Sequence, residues 1–170
     1  MGFFSKIKRL FAHLFHPSWR VENYFPQRSL TRLQAAIADS EQQHLGQIRF
    51  VVESGWNAGA IWDGKTPRER ALEWFGLTRA WDTARNTGVL LYVSFADHAI
   101  EIIADRGLVQ RIDNRVWEKI CQDMRPLFID KSYIVGLELG LDAIHQVLCR
   151  HFPRGDEAFQ NELSDEVIVR

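Results

Sequence analysis

At 170 residues, with 46% apolar and 25% charged side chains, the chain has the composition of one globular domain plus tails. A net charge of -1 excludes an overall field that would recruit nucleic acid. Two cysteines outside any C-x-x-C pair, Cys121 and Cys149, exclude a disulfide framework and read as free thiols. No run reaches the roughly 18 apolar residues of a membrane span, and no uninterrupted apolar core of an export signal is evident. A cytoplasmic location is therefore expected.

The charge is unevenly placed. The first residues carry Lys6, Lys8, Arg9 and Arg20 and no acid, whereas Asp156, Glu157, Glu162, Asp165 and Glu166 crowd the C-terminal end. Phe3, Phe4, Ile7, Leu10, Phe11, Leu14 and Phe15 recur at helical spacing, with Lys6, Lys8, Arg9, His13 and His16 between them and Pro17 as the stop. A short basic helix with an aromatic face suits a membrane surface or a partner's groove. It also suits packing back onto its own domain. Residues 1–28 are thus read as an amphipathic arm and linker, residues 29–152 as the folded domain, and residues 153–170 as an acidic, disordered tail.

Within the domain, Ser29 caps a helix whose stripe is Leu30, Leu33, Ala36, Ile37 and Leu45, with Gly46 as its end. QIRFVVE reads as a strand. Residues 54–65 hold three glycines and two tryptophans and read as a loop containing a short helical turn. Thr66-Pro67-Arg68-Glu69 is a capping box with proline at the first helical position, and a second short helix is expected over Leu77–Ala84. The apolar run VLLYVSF after Thr87-Gly88 suits a strand covered on both faces. Ala96-Asp97-His98 turns it into an antiparallel partner, AIEIIA, which Asp105-Arg106-Gly107 closes. A short edge strand is expected near Leu108–Gln110. Two helices follow, over about Asp113–Phe128 and Ser132–His151. The expected fold is α/β, a small mixed sheet sandwiched between helices.

Oxygen-bearing side chains gather around the central hairpin: Asp82, Asn86, Asp97, Glu101, Asp105 and Asp113. Calcium and magnesium take several carboxylate and carbonyl oxygens. Asp82 and Asp105 are the first choices for a metal site because they flank the two central strands. The competing reading is that Asp82 caps a turn and Asp105 shapes the one before Gly107. Arg79, Arg85, Arg106 and Arg111 are candidate phosphate ligands. No P-loop, nucleophile elbow or H-E-x-x-H motif accompanies them. Trp56 and Trp62 form a contact surface if exposed together, or cover a sheet edge if buried.

In order, QIRFVVES, AIWDGKTPRERALEWF, RAWDTARNTGVLLYVSFADHAIEIIADRGL and the helix ending CRHFP resemble the TPM domain family, named for thylakoid and membrane-associated proteins. The likeness runs roughly over residues 30–152 and is nearest to short bacterial members without an export signal. It implies a small mixed sheet between helices, a phosphatase label, calcium binding in some members, and roles near membrane complexes. The chain departs from the pattern at Asn86-Thr87, where paired asparagines are expected, and at His98, where an arginine is expected. The leading functional expectation is a non-catalytic interaction module at the cytoplasmic membrane surface, acting on an unidentified protein partner through the arm and the tryptophan loop. The alternative is a phosphatase of phosphomonoesters using calcium or magnesium at Asp82 and Asp105.

Overall fold

Two segments, Gln47–Glu53 and Gly88–Ser94, have every residue buried and become the central strands of a sheet covered on both faces. The computed structural model describes residues 3–15, 18–155 and 161–170. The elements run α1 (Phe3–Leu14), α2 (Ser18–Glu22), α3 (Gln27–Glu41), β1 (Gln47–Glu53), α4 (Ala58–Trp62), α5 (Pro67–Leu77), β2 (Gly88–Ser94), β3 (Ala99–Ala104), α6 (Arg106–Val109), α7 (Asn114–Ile129), α8 (Tyr133–His151) and β4 (Val167–Val169). The sheet order is β3-β2-β1-β4. β1 lies parallel to β2 from Gln47↔Gly88 to Glu53↔Ser94, and β2 and β3 form the expected antiparallel hairpin.

Strand alternation divides the core in two. Ile48, Phe50, Val52, Val89, Leu91, Val93, Ile100 and Ile102 pack against Leu33 and Ile37 of α3, Met124 of α7, and Leu137 and Ile144 of α8. On the other face Val51, Leu90, Tyr92 and Ile103 meet Ala71 and Trp74 of α5. The mixed sheet lies between these two helical layers, as the sequence pattern and the resemblance both imply.

Local chemistry sets the helix starts. Thr66 Oγ1 accepts from Glu69 N at 3.2 Å, and Glu69 Oε2 accepts from Thr66 N at 2.7 Å, closing the capping box. Asp113 caps α7 by accepting from Arg115 N at 2.9 Å. Gly88 is required by close approach: a Cβ there would sit 1.7 Å from Ala80 O.

Five boundaries differ from the sequence reading. The linker expected before residue 29 holds α2 and sends Val21 and Phe25 into the core. α3 starts at Gln27, directly after Pro26, and ends at Glu41, so residues 42–45 are a turn instead of a last helical stretch. The expected helix over Leu77–Ala84 is turn and coil, broken by Arg79 at φ 55°. The expected edge strand at Leu108–Gln110 belongs to α6, because Asp105 caps a helical turn by accepting from Arg106 N at 2.7 Å. The tail read as disordered contributes β4, parallel to β1 from Phe50↔Val167 to Val52↔Val169. Its acidic composition hides a short apolar segment that satisfies the open edge of β1, with Val167 and Leu163 buried. Gln47 Oε1 accepts from Glu162 N at 2.8 Å and Leu163 N at 3.0 Å, which fixes the segment before it. Residues 156–160 lie outside the described residues.

Candidate functional site

In open sheets with parallel strands, ligands gather where the strands end at their carboxyl side. β1 ends there in Glu53-Ser54-Gly55-Trp56, and β2 in Ser94-Phe95-Ala96-Asp97. Glu53 is buried, and the chain itself supplies donors to both of its oxygens. Oε2 accepts from Tyr92 Oη at 2.7 Å, Trp74 Nε1 at 3.0 Å and Arg70 Nε at 2.9 Å. Oε1 accepts from the other arm of the Arg70 guanidinium. Hydrogen bonding to Glu53 raises the Arg70 pKa, and burial together with the Glu53 charge pushes the Tyr92 phenol well above its ordinary value. Tyr92 Oη in turn accepts from Trp56 Nε1 at 2.9 Å. This carboxylate is a structural anchor, with its lone pairs already engaged.

The arm closes the edge. His13 Nδ1 accepts from Trp56 N at 2.9 Å, and the two rings lie 5.0 Å apart. Since Nδ1 accepts, the neutral ring carries its proton on Nε2. That atom lies 3.3 Å from Asp97 Oδ1, within ion-pair distance but off the hydrogen-bond axis. Arg9 makes a bidentate pair with Asp97, Nε to Oδ1 at 2.6 Å and Nη2 to Oδ2 at 2.8 Å, and donates to Lys65 O at 2.7 Å. Its guanidinium also lies 4.6 Å from the Trp56 ring centroid. Burial alone raises the Asp97 pKa, but the Arg9 hydrogen bonds and the His13 ring beside it hold it well below the usual carboxylate range. Lys6 donates to Trp62 O at 2.6 Å. Gly55 permits the contact, since a Cβ there would stand 2.8 Å from His13 O.

The arm therefore docks by its polar face. On a helix, Lys6, Arg9 and His13 lie opposite Phe4, Phe11 and Phe15. Those three phenylalanines are 86%, 53% and 67% exposed, and Lys8 is exposed beside them. Phe11 and Phe15 stack at 6.2 Å. Trp62 is half exposed and lies against Lys6 on the docked side of the arm, whereas Trp56 is buried. The two tryptophans are not exposed together, so they do not form the joint contact surface.

The residues chosen from the sequence fall at separate places. Asp97 lies at the carboxyl end of β2, Asn86 and Asp105 at its other end, about 20 Å away along a seven-residue strand. Glu101 pairs with Arg68 at 3.4 Å, and Asp113 with Arg115. Asp82 is exposed in the turn before β2. Asp105 is buried, with Oδ1 on Arg106 N and Oδ2 without a hydrogen-bond partner among the described residues. Among the described residues, no three His, Cys, Asp or Glu side chains group as metal ligands. In the sequence Arg9, His13, Trp56 and Asp97 stand out separately with nothing to join them, and Glu53 does not stand out. The glycine after Ser54 and the tryptophan beside it were the available signals of a close approach.

A profile of the TPM domain matches residues 21–147. The chain belongs to the TPM domain family. A solved structure similar to this chain is that of the BA42 protein of the psychrophilic bacterium Bizionia argentinensis, 22% identical, with a TM-score of 0.72 over 83% of this chain and 92% of that one. At that identity the likeness shows the fold. No curated protein matches the sequence. α1 and β4 both lie outside the matched residues, so the clasp at the carboxyl edge joins a TPM domain to a segment beyond it.

Proposed function

We propose that this TPM domain is a non-catalytic interaction module that attaches to the cytoplasmic surface of an anionic membrane through the outward face of α1. The observation that carries the reading is the inverted docking of the arm. Its polar face is held by Asp97, Trp56 and Trp62, leaving Phe4, Phe11 and Phe15 to solvent. Exposed aromatic side chains in a contiguous stripe mark an interaction surface. A helix of this kind lies in the interface plane with its apolar face among the acyl chains. Among the described residues, no helix is long and apolar enough to cross a membrane.

Burying one phenylalanine contributes roughly 1.5–3 kcal/mol. Asp97 neutralises Arg9 and Lys6 is held on the docked face, so the pull toward anionic lipid comes chiefly from Lys8, at about 1 kcal/mol. Co-sedimentation with phosphatidylserine-containing vesicles tests this. Phe11→Glu/Phe15→Glu is expected to weaken binding more than tenfold, and added salt to weaken it only modestly. Vesicle binding unchanged by the double substitution would remove the membrane from the account and leave a protein partner for this face.

A further inference from the structure

Between the β2–β3 turn and the junction of α7 with α8 lies a cleft of about 470 Å³. It is separate from α1 and from the Glu53 anchor, and its size falls within the roughly 300–1,000 Å³ of small-molecule sites. Phe95, Ile100, Phe128 and Tyr133 wall it. Tyr133 lies 4.8 Å from Phe95 and 5.5 Å from Phe128, ring centroid to ring centroid, so the wall is a braced aromatic cluster. Gly136 admits Phe128 to that position: a Cβ there would meet its Cε2 at 2.6 Å. The lining includes Arg125 and Lys131, both exposed, and no acid. Neither cation makes an ion pair among the described residues. Two of the four described non-glycine residues with positive φ border the cleft, His98 at 51° and Lys131 at 60°. Such conformations cost energy and cluster at ligand sites.

We propose that this cleft binds a small anionic amphiphile, an alkyl or aryl chain ending in a carboxylate or phosphate. The apolar body lies on the aromatic wall, and the head sits between Arg125 and Lys131. An apolar cavity with cations at its mouth and no acid in its lining selects against neutral and cationic relatives of the same chain length. Arg125 offers a planar fork to either anion, and Lys131 a point charge. The site stands independently of the membrane reading, since none of its residues belongs to α1.

Titration calorimetry on the full chain tests it, with decanoate, decyl phosphate, decanol and decylamine below their aggregation concentrations. Binding by at least one of the two anions is expected, the one preferred identifying the headgroup, with decanol much weaker and decylamine silent. Arg125→Gln/Lys131→Gln is expected to weaken anion binding at least tenfold, and Ile129→Glu, which places an acid at the exposed end of α7, to abolish it. Phe11→Glu/Phe15→Glu is expected to leave it unchanged. Absence of heat with both anions overturns the proposal. So does equal binding by the Arg125→Gln/Lys131→Gln chain, or loss of binding on substitution of the α1 phenylalanines alone.

Discussion

Replacing Glu53 by alanine is expected to lower folding stability by about 3 kcal/mol, read as a drop in the urea midpoint at unchanged slope. The reason is the set of donors left behind. Arg70, Trp74 and Tyr92 all point at this one carboxylate in a buried site. Without it, a phenol and an indole N–H lose their acceptor, and the guanidinium keeps only Glu73, which Arg70 Nη1 meets at 2.7 Å. Glu73 also pairs with Lys65, so the charge is partly retained, and the expected loss falls at the low end for breaking a buried pair. The effect reaches the arm as well. Tyr92 no longer has Glu53 to orient the hydroxyl that receives Trp56 Nε1, and Trp56 is the residue whose backbone amide holds His13. A loss below about 1 kcal/mol would mean that the network is not the anchor of the carboxyl edge.

Glu41→Gln is expected to stabilise the protein by a few kcal/mol at pH 8 and to change little at pH 4.5. Glu41 is fully buried at the end of α3, accepting from Ile48 N at 2.6 Å. Burial pushes its pKa up to about 8, and nearby Asp165 pushes in the same direction, outweighing the Ile48 amide and Arg49. The folded protein thus retains a proton that the unfolded chain releases near pH 4.5. Stability therefore falls as pH rises from about 4.5 to about 8, and glutamine, which does not titrate, removes that loss. His44 has the opposite slope. Burial first, and His145 second, lower its pKa from 6.5 to about 4, so its contribution is complete above pH 6.5 and is lost as pH falls toward 4. Thermal melts of both chains across this range should diverge steadily toward high pH. Parallel profiles would contradict the buried, proton-retaining state of Glu41.

The sequence was most informative where a single local rule decided the outcome. Thr66-Pro67-Arg68-Glu69 could open only a helix, and the unbroken apolar run after Gly88 could serve only as a doubly covered strand. The motifs around that strand also carried the family resemblance, which the match over residues 21–147 bears out. Long-range events were illegible. The acidic tail hides Val167–Val169, whose value lies in an open strand edge over a hundred residues away. The amphipathic pattern of the arm revealed both of its faces but not which one docks. An aromatic stripe ordinarily turns inward. Here Arg9 reaches Asp97 across 88 residues and turns the stripe outward, a contact that no periodicity encodes. Asp97 stands apart from Asn86 and Asp105 for a similar reason: β2 carries it to the opposite end of the sheet.

The most direct measurement is amide hydrogen exchange at Trp56 in the intact chain, with and without phosphatidylserine vesicles. Its N–H is bonded to His13 Nδ1, so it reports whether the arm is seated. The account predicts slow exchange in both conditions, with new protection in α1 only when vesicles are present. Fast exchange at Trp56 on vesicle binding would contradict it, because the arm would then leave the domain and meet the membrane with the face that now holds Asp97.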